Sequence, residues 1–149
     1  MPSDSTSRAM GPAGRMRSAV LIALLAVWTV PTMAQAAPHL RCQLDQGGTT
    51  LVREFAPLAD PYGVASIDLN GRFRFKAVVI GDERKIQYIK LYTYCQTARR
   101  LVLVHEVKYL SPELPAGATA LALTGQNYVY SPDKEREFQY SCSLIEATP

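Results

Sequence analysis

Between Glu137 and Leu144 every second residue is apolar: Phe138, Tyr140, Cys142 and Leu144 share one parity, and Glu137, Gln139, Ser141 and Ser143 the other. Successive side chains of an extended strand point to opposite faces, so this spacing buries one side and wets the other. The same period recurs from Leu40 onward with turn residues between the runs, and no segment after Ala37 shows a helical period of apolar residues. The expected fold is all-β, an antiparallel sandwich or small barrel of about 7–8 strands built from hairpins.

Register can be argued where side chains must be sorted between faces. Around Asp68-Leu69-Asn70-Gly71, a two-residue Asn-Gly turn sets Leu69 opposite Arg72 and Ile67 opposite Arg74, apolar against charged. A type I turn with Gly71 as a left-handed bulge residue instead pairs Asp68 with Arg72, Ile67 with Phe73, Ser66 with Arg74 and Ala65 with Phe75, and is the expected arrangement. In the next pair of runs, Lys85 to Cys95 and Leu101 to Leu110, placing Cys95 opposite Leu101 gathers Ile89, Leu91, Thr93, Leu103, His105, Val107 and Tyr109 on a core face. The other face then holds Tyr88, Lys90, Tyr92 and Tyr94 with Val102, Val104, Glu106 and Lys108, and Lys90 stands opposite Glu106. Leu40 to Leu44, Thr50 to Phe55 and Gln126 to Tyr130 supply further strands, the last turning through Ser131-Pro132-Asp133-Lys134 into the C-terminal one. Ser111 to Ala122, with Pro112, Pro115 and Gly117, reads as the one long irregular connection.

Residues 1–36 read as a cleaved secretory signal: Arg8, Arg15 and Arg17, then the apolar run from Ser18 to Val30, then small residues ending in Ala34-Gln35-Ala36. The run is about 13 residues where a spanning helix needs about 20, so no stable membrane anchor is expected. Cys42 follows His39-Leu40-Arg41 rather than small residues, which disfavours a lipoprotein, and the absence of an adjacent Arg pair disfavours the twin-Arg route. Residues 37–149 are then a single small β domain, periplasmic or secreted. Taking Arg8, Arg15, Arg17 and Asp4 away from 16 basic and 13 acidic residues leaves 13 against 12, a net charge of +1. A domain so close to neutral gives no electrostatic case for nucleic acid as a partner.

All three cysteines fall at core-facing parity: Cys42 with Leu40 and Leu44, Cys95 with Leu91 and Thr93, Cys142 with Tyr140 and Leu144. In an oxidising compartment one pair forms, and Cys42 with Cys142 is the expected one because the first and last strands of a compact domain often lie side by side. Cys95 is then free, and a buried thiol without a basic neighbour is inert. The two histidines, His39 and His105, have no ligand spacing for a metal. A Cys95–His105 nucleophile pair requires a shifted register and a third orienting group. No Gly-x-Ser-x-Gly, Ser-x-x-Lys or Gly-rich phosphate loop is present, so no cofactor, metal or catalytic residue is expected.

Two surface features remain. Arg72, Arg74 and Lys76 form a basic row only partly offset by Asp68, and Tyr88, Tyr92 and Tyr94 form an aromatic ladder on the neighbouring hairpin. Tyr and Arg are enriched at protein interfaces. The expectation is a non-catalytic binding module of the cell envelope, possessing an interaction face of these six residues and another envelope protein as partner. In architecture alone it resembles small exported β domains with cysteines near both ends, among them periplasmic lysozyme inhibitors, though it lacks the Ser-Gly-x-Arg-Tyr type of loop that marks those inhibitors. The alternatives are a structural or stress-related envelope protein whose edge strands add to a partner sheet, and a small enzyme with dispersed catalytic residues.

Overall fold

The computed structural model describes residues 37–132 and 134–147; the export signal expected over residues 1–36 lies outside them. Nine strands follow one another: β1 His39–Gln46, β2 Thr49–Phe55, β3 Ile67–Leu69, β4 Phe73–Gly81, β5 Ile86–Gln96, β6 Leu101–Leu110, β7 Ala120–Ala122, β8 Asn127–Tyr130 and β9 Glu137–Ile145. Among the described residues there is no helix. The strands form two antiparallel sheets rather than a closed barrel. One is five-stranded, ordered β2-β1-β9-β7 with β8 also on β9; the other is four-stranded, ordered β3-β4-β5-β6.

The centre of the five-stranded sheet is the pairing of β1 with β9, from His39 opposite Ile145 to Gln46 opposite Phe138. It sets Leu40, Cys42 and Leu44 beside Leu144, Cys142 and Tyr140 on one buried row. Cys42 and Cys142 form the disulfide, with Cα atoms 4.1 Å apart and a sequence separation of 100. The main chain prepares that approach. Cys142 N–H donates to Thr124 Oγ1 at 2.9 Å, and its carbonyl accepts from Leu123 N–H at 2.9 Å and Thr124 N–H at 3.2 Å. Both groups therefore turn away from β1, leaving Cys42 and Cys142 as a pair that exchanges no main-chain bonds, the kind whose side chains come closest.

The buried row of the four-stranded sheet is Phe73, Phe75, Ala77 and Val79 on β4 with Ile89, Leu91, Thr93 and Cys95 on β5. The two rows meet in one core. The Phe138 ring lies 5.7 Å from Phe73 and 6.0 Å from Phe75, and Tyr140 lies 5.2 Å from Phe75. Aromatic contacts of this kind contribute about 0.5–1.5 kcal/mol each beyond area burial. Gly81 ends β4 at the only residue that fits, since a Cβ there would stand 2.3 Å from the Lys85 carbonyl oxygen.

Two expected registers are corrected. In the β3–β4 hairpin Leu69 faces Phe73, Asp68 faces Arg74 and Ile67 faces Phe75, two residues away from the expected pairing. Asn70 and Gly71 both take positive φ, 56° and 64°, and Arg72 N–H closes the turn onto Leu69 O at 3.1 Å. Asn tolerates the left-handed region better than most residues, and Asn70 Nδ2 is held there by Gln46 Oε1 at 2.9 Å. A two-residue slip preserves parity, so the faces sort as expected although the partners differ.

In the β5–β6 pair Tyr92 faces Glu106 and Lys90 faces Lys108, so Lys90 is not directly opposite Glu106. A bulge between Thr93 and Tyr94 leaves Val104 as an extra residue on β6. One extra residue reverses inside and outside beyond it. Leu103, expected in the core, is 46% exposed, whereas Val104, expected outside, packs against the core. The stretch Ser111 to Ala122 also holds a short strand, β7, that was expected to be irregular: Ala120, Leu121 and Ala122 pair with Ile145, Leu144 and Ser143. The turn expected over Ser131–Lys134 includes Asp133, which lies outside the described residues.

Closing a loop of this length by a cross-link removes about 4.7 kcal/mol of unfolded-chain entropy in the simplest account. Cys42→Ala combined with Cys142→Ala should therefore lower unfolding free energy in urea by about 2–5 kcal/mol. An unchanged urea midpoint would show that the bridge contributes nothing to stability.

Candidate functional site

Strand parity that buries Phe73, Phe75, Ala77 and Val79 turns Arg74, Lys76, Val78 and Ile80 to the opposite side of β4. Across the ladder Arg74 faces Tyr94, Lys76 faces Tyr92, Val78 faces Lys90 and Ile80 faces Tyr88. Five of the six residues expected to form an interaction face are thus brought together: Arg74, Lys76, Tyr88, Tyr92 and Tyr94. None of them belongs to the core cluster and all are half-buried. Val78 and Ile80, although they point away from the core, are only 4% and 6% exposed, and the segment at Leu58 bridges to Ile80 alongside them.

Arg72 is the exception. It sits at the end of the turn before β4, where its carbonyl still accepts from Gln96 N–H at 2.7 Å in the β4–β5 register, but its side chain leaves the face. A Cβ on Gly47 would lie 3.9 Å from its guanidinium. Arg72 therefore lines a different surface groove, with Asp45, Glu135 and Arg136. The row Arg72, Arg74, Lys76 is broken at its first member because the Arg72 side chain is directed to the β1–β2 turn at Gly47.

The face is internally organised. The Tyr92 and Tyr94 rings stack with centroids 6.2 Å apart and planes 19° from parallel. Lys90 and Lys108 are directly opposite, an unfavourable placement for like charges. Each leans diagonally out of it: Lys90 Nζ reaches Glu106 Oε1 at 3.2 Å and lies 5.7 Å from the Tyr92 ring centre, and Lys108 Nζ lies 4.9 Å over the Tyr88 ring. The hydrogen bond to Glu106, then the one to Tyr92, holds the Lys90 ammonium above its usual range. Desolvation, aided by Tyr92 and Glu106, pushes the Tyr94 hydroxyl up. Arg74 Nε stands 3.5 Å from Asp68 Oδ2, at ion-pair range without a hydrogen bond. Among the described residues no carboxylate pairs with Lys76 or Lys108. Lys90, Glu106 and Lys108 lie on this face as their parity with the tyrosines implies, although the six-residue interaction face expected from the sequence does not include them.

The remaining chemistry-bearing groups are dispersed. Thr93, not Cys95, faces His105 across the ladder. Cys95 is buried, with Sγ 3.2 Å from Ser131 Oγ. His105 Nε2 is engaged by the Tyr140 hydroxyl at 2.8 Å, a bond that ties β6 of one sheet to β9 of the other. Burial, and to a lesser degree Tyr109, pushes the Tyr140 hydroxyl far above its usual range. His39 lines an open groove of about 750 Å³ with Pro57, Asp82 and Arg84, at the opposite end of β1 from the β1–β2 turn. Among the described residues no group of three or more His, Cys, Asp or Glu side chains could hold a metal ion.

Fold and face together describe a two-sheet antiparallel β domain that carries a tyrosine–cation ladder on the outside of one sheet. No protein-family model, curated protein or solved structure matches the chain.

A hydroxyl whose folded-state pKa is raised favours the folded state fully below its unfolded value, about 10 for tyrosine, and that contribution disappears as pH rises through the folded value. Stability should therefore fall progressively above about pH 10. Tyr140→Phe should flatten that fall, leaving the smaller slope due to Tyr94, Tyr109, Tyr130 and Lys90, while costing about 1 kcal/mol at neutral pH for the lost bond to His105. Urea midpoints measured across the alkaline range test this, and identical slopes in both proteins would refute it.

Proposed function

We propose that the chain is an exported, non-catalytic binding module of the cell envelope, and that the outer face of the four-stranded sheet is where it meets a partner protein. The observation that carries this reading is the ladder itself: Arg74 and Lys76 set against Tyr94 and Tyr92, half-exposed and outside the core cluster. Aromatic rings with few rotatable bonds and cations with apolar stems make contacts at low entropic cost, which is why such residues dominate the energetic centres of interfaces. Cations outnumber carboxylates on the face, with Arg74, Lys76, Lys90 and Lys108 against Asp68 and Glu106. The complementary partner surface is acidic and offers pockets for rings. Architecture of the two-sheet kind, a sandwich in which the outer sides stay available, leaves such a face free for recognition.

The export reading rests on the tripartite N-terminus and is supported by the Cys42–Cys142 disulfide, since such bonds persist in oxidising compartments. Cleavage after Ala36 makes Ala37 the first residue. Its nitrogen already donates to Glu83 O at 2.8 Å, and as a terminal ammonium it keeps that bond with added charge. Protein recovered from the envelope or medium of its producing cells should begin Ala37-Pro38-His39 on N-terminal sequencing. Recovery of the uncut chain alone would overturn the signal assignment.

The face is tested by affinity capture from an envelope extract, comparing the native chain with a Tyr92→Ala plus Lys76→Ala variant. Lys76 is preferred to Arg74 for this purpose because Arg74 is already occupied by Asp68. The native chain should retain a partner whose recovery falls at least about tenfold in the variant and diminishes with salt, as exposed charge contacts do. Equal recovery by both proteins would remove the face from consideration.

A further inference from the structure

We propose that β6 is a self-pairing edge: two copies of this chain join their β6 strands antiparallel about an axis through Val107, making one continuous sheet from two four-stranded ones. This does not rest on the binding role of the outer face.

The main-chain geometry says which groups are available. Ser111 N–H donates to Gln87 O at 2.8 Å, in the same register as Tyr88 opposite Leu110. Antiparallel ladders alternate bonded and non-bonded pairs, so Tyr109, Val107 and His105 turn their N–H and C=O groups toward β5, and Leu110, Lys108 and Glu106 turn theirs outward. Among the described residues β6 pairs on one side only, so the outward groups form an open edge. The exposed residues follow the same edge, Leu110 at 73% and Leu103 at 46%. Its inward side chains are also less covered than those of β5. His105, Val107 and Tyr109 are half-buried, whereas Ile89, Leu91 and Thr93 are fully buried.

Charge selects the occupant. A lysine and a bulge on an open edge discourage pairing with an arbitrary strand. Glu106 and Lys108 stand two residues apart on the same face, and an antiparallel copy centred on Val107 sets each Glu106 directly opposite the other copy's Lys108. Both outward-pointing residues then exchange main-chain bonds and a cross-strand ion pair at the same time. An axis through Glu106 or through Lys108 instead sets like charges face to face. The self-complementary register also brings Val107 against Val107 and His105 against Tyr109, covering the inward side chains left half-exposed at the edge. Two-fold closure of this kind is the commonest way for a soluble chain to associate.

Sedimentation velocity on the purified full chain tests the pairing over a concentration series. Wild type should show a concentration-dependent dimer. Glu106→Lys and Lys108→Glu, each measured alone, should weaken that dimer at least about tenfold, because symmetry counts every reversal twice. Mixed in equal amounts, the two variants are complementary to one another and should regain the dimer as a heterodimer. Lys108→Pro removes an outward N–H without touching the β5 ladder and should leave a monomer with unchanged far-UV circular dichroism. A wild-type chain that stays monomeric throughout, a dimer indifferent to the single reversals, or a mixture that fails to recover the dimer would each overturn the proposal.

Discussion

Because β1 and β9 run against each other along their whole length, the two ends of the domain form a single ribbon, and the disulfide crosses it at Cys42 and Cys142. Everything else in the five-stranded sheet is hung on that ribbon: β2 on the outer side of β1, β7 and β8 end to end on the outer side of β9. The ribbon's inner row, Leu40, Leu44, Phe138, Tyr140 and Leu144, is also the floor on which the other sheet packs. This pairing closes the longest loop in the domain, which is the costliest kind of contact to form from an unfolded chain. A covalent link is most useful there, since the contact that organises the core is otherwise the one with the greatest sequence separation.

The four-stranded sheet is organised locally by contrast, each strand pairing with the next in sequence. Its orientation on the floor is set by aromatic contacts of Phe73 and Phe75 with Phe138 and Tyr140, and by polar bonds that include His105 with Tyr140 and Asn70 with Gln46. A hydroxyl buried so thoroughly needs a partner, and His105 supplies it from the strand nearest the edge. The bulge at Val104 follows from competing demands on β6. His105, Val107 and Tyr109 must point inward in one half, and Val102 and Val104 must do so in the other. Strict alternation cannot satisfy both, and one extra residue can.

Which parts of this were legible depends on whether the determining interaction is local in sequence. The strand faces of β1, β4, β5 and β9 could be read from period two alone, because burial depends on parity and parity survives a register slip. The Cys42–Cys142 bond could be argued from the same parity plus the adjacency of first and last strands. Partners across hairpins could not. At Asn70-Gly71 the alternatives differ by which residue enters the left-handed region, and Gln46, twenty-four residues upstream, helps decide it by holding the Asn70 amide. Leu103 falls outside the core although alternation points it inward, because a bulge leaves no mark in the apolar pattern beyond two valines of the opposite parity. Arg72 shares the spacing of Arg74 and Lys76 in the sequence, and only its side-chain direction, toward Gly47 of the other sheet's turn, takes it from their row. Lys90 and Glu106 do meet, though on the diagonal, because direct opposition falls to Lys108 instead.

The two outer faces of the molecule differ in where aromatic rings and cations are brought together. On the five-stranded sheet the outward row of the central pair holds Gln43 opposite Ser141, Arg41 opposite Ser143 with a Glu54 contact at 3.8 Å, and Asp45 opposite Gln139, while Val52, Tyr128 and Tyr130 are exposed on the flanking strands. The groups of the central pair are small or polar and lose little by facing water, and Tyr128 and Tyr130 stand opposite Gln139 and Glu137 rather than cations. On the four-stranded sheet the outward row holds three tyrosines, two buried aliphatic residues and four cations within one ladder. A sheet needs only one apolar side to fold, and the inner side of this one is already complete with Phe73, Phe75, Ile89 and Leu91. The rings outside are therefore not required by the core. Placing them there costs solvent exposure of apolar area, partly offset by the stacking of Tyr92 on Tyr94 and by ammonium groups over Tyr88 and Tyr92. A face that is more apolar than folding demands, and whose cations are only partly neutralised within the chain, is the part of this structure whose composition a partner would explain.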